Sequence, residues 1–368
     1  MESQKQLKDE TANFMINIDP NSQERATFGA ASQSTADASQ VEQHRGIFRS
    51  QKGEEIYAII RYATLAANSH NTQPWKFAIH ADQIEIHPDL TRTLPVADPE
   101  NRSLWISLGC ALENLVLAAR AHGYATEISY PQNDAPCIRV RLLKDSPVRS
   151  STFDAIPFRQ STRSEYNGKQ VDINTLQQLT SITVEPGIGL RLVVTPEEME
   201  TVIEYVTAGT LAQYSQRAFL NELISWLRFN EKEALSTRDG LYSKCSGNPS
   251  VPRWLGSWFV SRSRPMQQAE SDVRKLRSSA GVVVITAAAE DVASWVRVGR
   301  VYQRLALTMT SLGIKSALLN QPIEVPEIRD QFQSALSLAE MRPQLLVRFG
   351  YADPMPKSLR RPVEQVLI

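Results

Sequence analysis

WISLGCALENLVLAARAHG, residues 105–123, and WVRVGRVYQRLALTMTSLG, residues 295–313, are two copies of one pattern. Trp105 and Trp295 stand 190 positions apart, and the same offset pairs Gly109 with Gly299, Leu115 with Leu305, Leu117 with Leu307 and Gly123 with Gly313. Each stretch reads as a long apolar helix that starts near a Trp, carries a Gly about one turn later and stops at a Gly. A glycine inside a helix costs about 1 kcal/mol against alanine. A close crossing of two helices explains why the chain keeps both. The expectation is a duplicated chain whose copies pack about a pseudo-twofold axis, as the subunits of a homodimer do. Ligands collect at such interfaces.

Working outward, Trp75–Ile79 and Gln83–His87 read as strands joined by a turn at Ala81-Asp82. Asp98-Pro99-Glu100-Asn101 reads as the start of the first long helix. Thr126–Tyr130 and Cys137–Leu143 are further strands. A second unit then brings a helix at Val171–Leu179 capped by Asp172, a strand at Leu190–Val194, and a helical stretch from Pro196 to about Phe229. Residues 230–265 read as irregular. Gly281–Ala287 has the all-apolar character of a strand buried on both faces, and Gln344–Gly350 is the last strand. Ile138–Arg141 has its counterpart in Leu345–Arg348, and Phe48-Arg49-Ser50 has a weaker echo in Phe158–Ser161. The predicted organisation is a flexible tail over 1–45, a first half over 46–150, and a second half over 151–368 with a candidate lid at 205–275. The aromatics Trp254, Trp258 and Phe259 belong either to that lid or to the core.

Composition narrows the functional classes. The 368-residue chain has net charge +0, so no global field favours nucleic acid or acidic membranes. Cys110, Cys137 and Cys245 are far apart, and of the five histidines only His80 and His87 lie close together, so no metal site is expected. The thiol usage suits a reducing cytoplasm. No apolar run approaches the length of a membrane span, and the first residues lack a secretory signal core.

Three polar stretches carry the chemistry. Asn68-Ser69-His70-Asn71-Thr72-Gln73-Pro74-Trp75 crowds hydrogen-bonding side chains between an amphipathic helix, Gly53–Ala67, and the first strand. Such a loop needs partners: either water, or a planar heteroaromatic ligand with alternating donors and acceptors, such as a flavin. Arg159-Gln160-Ser161-Thr162-Arg163 places two guanidinium groups and a hydroxyl at alternate positions. It is either a solvated basic turn or a seat for a phosphate monoester. Lys357-Ser358-Leu359-Arg360-Arg361-Pro362 is a second basic cluster, which calls for an anionic partner.

With these motifs in view, and with Arg348-Phe349-Gly350-Tyr351 before the basic tail, the chain resembles the nitroreductase family over residues 46–368. It is most similar to the Acg-like subgroup, in which two nitroreductase-like halves are fused. Ala67 departs from the pattern, standing where a proline is usual. The resemblance implies an α+β fold with a mixed sheet flanked by helices, holding FMN between the halves. It implies that Ser69, His70, Asn71 and Gln73 contact the ring and ribityl chain. Arg159, Ser161 and Arg163 would hold phosphate and ribityl, Arg360 and Arg361 the phosphate, and Gln321 would border the ring. Because the polar loop exists only in the first half and the basic tail only in the second, one FMN per chain is expected.

The activity so implied is an FMN-dependent oxidoreductase passing electrons from NAD(P)H to a nitroaromatic, quinone or similar acceptor. An FMN-sequestering protein with little turnover is the alternative. No catalytic acid–base residue is assigned. The fused halves remove the usual reason to homodimerise, so a monomer acting as a pseudo-dimer is expected.

Overall fold

A computed structural model of the chain describes residues 51–131 and 136–368. The predicted tail over 1–45 and the Phe48-Arg49-Ser50 echo lie outside the described residues. The described residues fall within one contiguous unit, Ile47–Ile368.

In chain order the first half contains α1 (Gln51–Thr64), β1 (Trp75–Ile79), β2 (Gln83–Pro88), α2 (Arg102–Ala121), β3 (Tyr124–Ser129) and β4 (Ile138–Lys144). A bridging stretch holds α3 (Ser151–Ala155) and α4 (Ile173–Thr180). The second half continues with β5 (Ile188–Val193), α5 (Pro196–Tyr214), α6 (Arg217–Trp226), β6 (Leu227–Arg228), α7 (Glu231–Thr237), β7 (Leu241–Tyr242), α8 (Arg253–Ser261) and α9 (Pro265–Arg277). It closes with β8 (Gly281–Ala287), α10 (Val292–Ser311), β9 (Lys315–Leu318), α11 (Gln321–Glu324), α12 (Pro326–Ala335) and β10 (Arg342–Gly350).

The duplication is visible in the topology. One sheet has the order β1-β2-β4-β3 and the other β5-β8-β10-β9, so each half runs first, second, fourth, third. In both, the long helix follows the second strand. All pairings within these two sheets are antiparallel. Among the described residues the parallel contribution of the expected mixed sheet is confined, outside the short β6–β7 pair, to bridges at Phe77–Leu367 and Ser161–Ser316. β4 and β10, matched in sequence through Ile138–Arg141 and Leu345–Arg348, occupy equivalent places.

α2 and α10 cross at their glycines. A Cβ on Gly109 would lie 2.1 Å from the Val296 carbonyl oxygen, and one on Gly299 would lie 2.0 Å from that of Ile106. Only hydrogen fits on either side. A continuous apolar cluster joins both helices to both sheets, with Leu108, Leu112, Ile86 and Val140 from one half and Val298, Leu305, Ile285 and Val347 from the other. Buried polar bonds register the crossing: Glu113 binds Arg300 at 3.0 Å and Arg304 at 2.8 Å, and Gln303 Nε2 donates to Asn114 Oδ1 at 2.7 Å. α2 is long and apolar enough to cross a bilayer by composition, but 78% of its apolar window is buried in this core. β8 is buried along its whole length because α10 covers one face of its sheet while α5, α9 and α12 cover the other.

The chain's end reaches back over the first half. Leu367 bridges Phe77, Ile368 N donates to Phe77 O at 3.0 Å, and Tyr57 Oη donates to Glu364 at 2.8 Å.

The stretch expected to be helical from Pro196 to about Phe229 is two helices. α5 stops at Ser215, whose hydroxyl donates back to Leu211 O at 2.7 Å and competes with the backbone ladder. Residues 230–265, expected to be irregular, hold α7 and α8. Asn230 caps α7 by accepting from Glu233 N, and Gly256 of α8 sits on the Phe229 ring, where a Cβ would come within 2.1 Å.

Candidate functional site

The loop Asn68–Pro74 leaves α1 and turns sharply into β1. His70, Asn71 and Gln73 adopt φ of 50°, 54° and 51°, the left-handed region that non-glycine residues rarely enter. Such strain persists only where surroundings over-determine it. Here Asn68 Oδ1 accepts from Gln73 N at 2.9 Å and closes the loop. Asn71 Nδ2 donates to Gly240 O and Leu359 O, while its Oδ1 accepts from Arg360 at 2.7 Å. Arg228 binds Asp239 at 2.6 Å, and Arg92 pairs with the same carboxylate while donating to Thr72 O.

Two contiguous cavities open beside this loop. The larger, about 270 Å³, is lined by Ser69, His70, Ser161, Arg163 and Gln321 among the expected residues. The smaller, about 80 Å³, is lined by Asn71, Arg159, Ser161, Arg163 and Arg360. Ala67, Asn68, Ser161 and Arg163 belong to both. Gln73 and Arg361 line neither. Gln73 is fully buried, donating to Arg238 O and accepting from Arg361 N, and Arg361 donates to Gln73 O at 2.7 Å. The pair fastens the C-terminal segment to the loop, so its side chains face the protein's own backbone.

The smaller cavity is a basic end. Arg348 stacks on Tyr166 at 4.0 Å and donates to the carbonyls of Thr162 and Ser164, while Thr162 N donates to Ser316 O. This fixes the turn whose Arg159, Ser161 and Arg163 all line the cavity. Among the described residues no carboxylate pairs with Arg159, Arg163, Arg360 or Lys357. Arg159 is buried with Nε unpartnered, and Arg163 makes one long bond, to Ser246 at 3.5 Å. Burial pushes the Arg163 guanidinium below its usual range, and burial with Arg159 nearby brings Arg360 down to about 9. Arg360 also donates to Thr64 O and Ala66 O at the end of α1. Lys357 stands exposed at the rim.

The larger cavity carries groups that the sequence did not single out. Ser107 and Cys110 come from α2 and Tyr302 from α10, and burial raises the Cys110 thiol and the Tyr302 hydroxyl to about 12. The stretch 205–275, the candidate lid and hereafter the insertion, contributes Tyr214, Leu241, Gln268, Asp272 and Lys275. Asp272 is 1% exposed and accepts from Lys275, Gln268 and Gln321. Gln321 has its Oε1 buried and without a partner. Trp254, Trp258 and Phe259 line neither cavity and are exposed, so they belong neither to the core nor to this wall.

His70 has its pKa lowered to about 4, first by burial and then by Arg163, so its ring is neutral at physiological pH. Its side chain and the Ser69 hydroxyl make no hydrogen bond among the described residues. Between pH 6.5 and 4 the unfolded chain binds a proton there that the folded chain refuses, so stability is lost as pH falls through that window. His70→Asn, which tolerates the same backbone, is expected to flatten that loss; comparing urea midpoints at about pH 7 and about pH 4.5 for both proteins measures it.

On the first sheet, Glu85, His87 and Cys137 bring their ligand-type atoms within 4.8 Å of one another. Arg139 and Gln83 donate to the same carboxylate, so its lone pairs are already shared with a cation.

The fold and site therefore define two fused α+β halves enclosing a cavity with one basic end that no carboxylate lines among the described residues. No family model matches the chain. It is similar to "Putative NAD(P)H nitroreductase Rv3131" of Mycobacterium tuberculosis, 25% identical over 324 residues, covering 85% of this chain and 91% of the relative. It is also similar to "Putative NAD(P)H nitroreductase acg" of the same organism, 24% identical over 327 residues, covering 84% and 94%. Among solved structures, a nitroreductase with bound FMN from Desulfitobacterium hafniense aligns at 15% identity and TM-score 0.37, covering 58% of this chain and 95% of that one. The chain thus resembles Acg-like nitroreductases over most of its length, as its motifs do.

Proposed function

We propose that this protein is an FMN-dependent oxidoreductase taking electrons from NAD(P)H and delivering them to a small aromatic acceptor, with one FMN per chain between the halves. The observation that carries the proposal is the basic cluster Arg159, Arg163 and Arg360, with Lys357 at its rim, which faces a cavity and has no carboxylate partner among the described residues.

Guanidinium groups shielded from water without a counter-charge are costly to a fold unless a ligand supplies the anion. A phosphate monoester matches them bidentately. The relatives' printed names and the likeness in motifs support the same reading.

The residues present fit FMN. The unpartnered Arg159 Nε beside the smaller cavity and the buried, unpartnered Gln321 Oε1 beside the larger are polar atoms whose hydrogen bonds a bound FMN would complete. Arg159, Arg163, Arg360 and Lys357 would hold the phosphate, with Ser161 beside the ribityl chain. Ser69, His70 and Gln321 would line the ring, His70 in its neutral form. Bound FMN would supply the redox chemistry, exchanging a hydride with the nicotinamide and passing electrons to the acceptor. Asp272, held by Lys275, Gln268 and Gln321, keeps a hydrogen-bonded polar edge at the wall contributed by the insertion.

That same wall favours a second reading. Because Tyr214, Leu241 and Gln268 belong to residues 205–275 and line the larger cavity, the insertion would shield a bound flavin from NAD(P)H. Purified protein is expected to be yellow with one FMN per chain, and anaerobic NADPH or NADH is expected to bleach it. A yellow protein that neither nucleotide bleaches supports sequestration. A colourless protein that takes up no added FMN removes both readings.

A further inference from the structure

Three large aromatic side chains crowd into six residues of α8. Trp254 is 71% exposed, Trp258 47% and Phe259 58%, and Met266 at the start of α9 is 56% exposed. Trp254 and Trp258 are spaced four apart and so share a face of the helix. The helix is seated firmly beneath them, with Gly256 against the Phe229 ring and Ser261 O accepting from Arg217 at 3.0 Å. These aromatics therefore stand outward on a fixed platform, away from both cavities.

Charge distinguishes this platform from the rest of a chain whose net charge is +0. Leu241 to Ala269 contains no Asp or Glu, and it carries Lys244, Arg253, Arg262 and Arg264, all exposed. Arg253 leans on Glu233 of α7 at 3.7 Å. Arg262 lies over the Trp258 ring at 4.8 Å. Arg262 and Arg264 form no ion pair among the described residues.

We propose that α8 and the first turn of α9 dock this protein on the surface of an anionic lipid bilayer. Trp and Phe would sit at the depth of the headgroups, where amphipathic rings are favoured, and the arginines would meet lipid phosphates. A second copy of the chain fits this surface less well. A twofold contact sets a patch against itself. It would bring Arg262 and Arg264 of the two copies together with no acid from Leu241 to Ala269 to answer them. A bilayer supplies both an apolar layer and negative charge.

The test uses the full chain and sedimentation with vesicles of phosphatidylcholine, with or without about 30 mol% phosphatidylglycerol. Binding to the anionic vesicles is expected to be about tenfold stronger or more than to the neutral ones, to weaken with salt, and to shift tryptophan emission to the blue. Trp254→Ser, Trp258→Ser and Phe259→Ser combined are expected to lower it about tenfold while leaving the urea midpoint unchanged, because the side chains are exposed. Arg262→Gln with Arg264→Gln is expected to remove the preference for anionic vesicles. The proposal is overturned if the full chain binds neither vesicle at low salt, or if the aromatic variant binds as the parent does. It is also overturned if sedimentation velocity reveals a dimer that Trp258→Ser abolishes, since the patch would then join two copies.

Discussion

Arg163→Met is expected to weaken FMN binding by about 1.5–3 kcal/mol, roughly 10- to 150-fold in Kd, while making the ligand-free protein more stable by about 1 kcal/mol. The opposite signs follow from one feature. Arg163 faces both cavities, its one hydrogen bond among the described residues is to Ser246 at 3.5 Å, and burial disfavours its charged form. Without an anion the fold carries that desolvated charge at a cost. With a phosphate in place the charge gains its partner. Methionine keeps much of the length and removes the charge, so it separates the two states. Arg159→Met is expected to behave alike, because Arg159 is buried and its Nε lacks a partner.

Arg360 supplies the contrast. Its guanidinium holds Thr64 O, Ala66 O and Asn71 Oδ1, so it ties the end of α1 and the polar loop to the C-terminal segment. Arg360→Met is therefore expected to lower stability with and without ligand. Titrating each apoprotein with FMN, and unfolding each in urea with and without it, reads both quantities. If Arg163→Met binds FMN as tightly as the parent, the phosphate does not lie at this turn.

What could be read without a structure depended on how local the signal was. The α2–α10 repeat was legible because a buried helix leaves few choices, and a glycine held at one offset is costly unless something presses on it. The shared direction of Arg159, Ser161 and Arg163 was legible because alternation within five residues already sets it. Proximity in sequence was a poor guide at Gln73 and Arg361. Both sit inside polar motifs, but the left-handed backbone at Gln73 turns its amide inward, and Arg361 follows it. Tyr302, Cys110 and Asp272 carried no local sign, since only the helix crossing and the packing of α9 bring them to the cavity. β9 is four residues long and shows no alternation, so beyond the strand-like residues expected after Gly313 its bounds at Lys315–Leu318 could not be read. α7 and α8 lie in residues 230–265, which read as irregular because Gly and Pro stand beside the aromatics Trp254, Trp258 and Phe259.

Gly109→Ala and Gly299→Ala are each expected to destabilise the protein by about 3 kcal/mol, although alanine is intrinsically the better helix former by about 1 kcal/mol. The new Cβ would meet a backbone carbonyl of the partner helix at 2.1 Å for Gly109 and 2.0 Å for Gly299. A backbone atom in a packed helix cannot rotate aside as a side chain can, so the helices must separate. Separation would strip contacts from the shared apolar cluster and strain the Glu113, Arg300 and Arg304 bonds across the crossing. It would also move Ser107 and Cys110 away from Tyr302, so FMN retention is expected to fall along with stability. Both substitutions press on the same crossing, so the double variant should lose less than the sum of the two. Gly313→Ala is the control. Gly313 has φ +75° with nothing within 4 Å of a built Cβ. Alanine there meets only the left-handed backbone penalty, about 1 kcal/mol. Urea midpoints of the three single variants rank the effects. If Gly109→Ala unfolds no earlier than Gly313→Ala, the two halves do not meet through these glycines, and the pseudo-twofold packing of the duplicated chain fails with it.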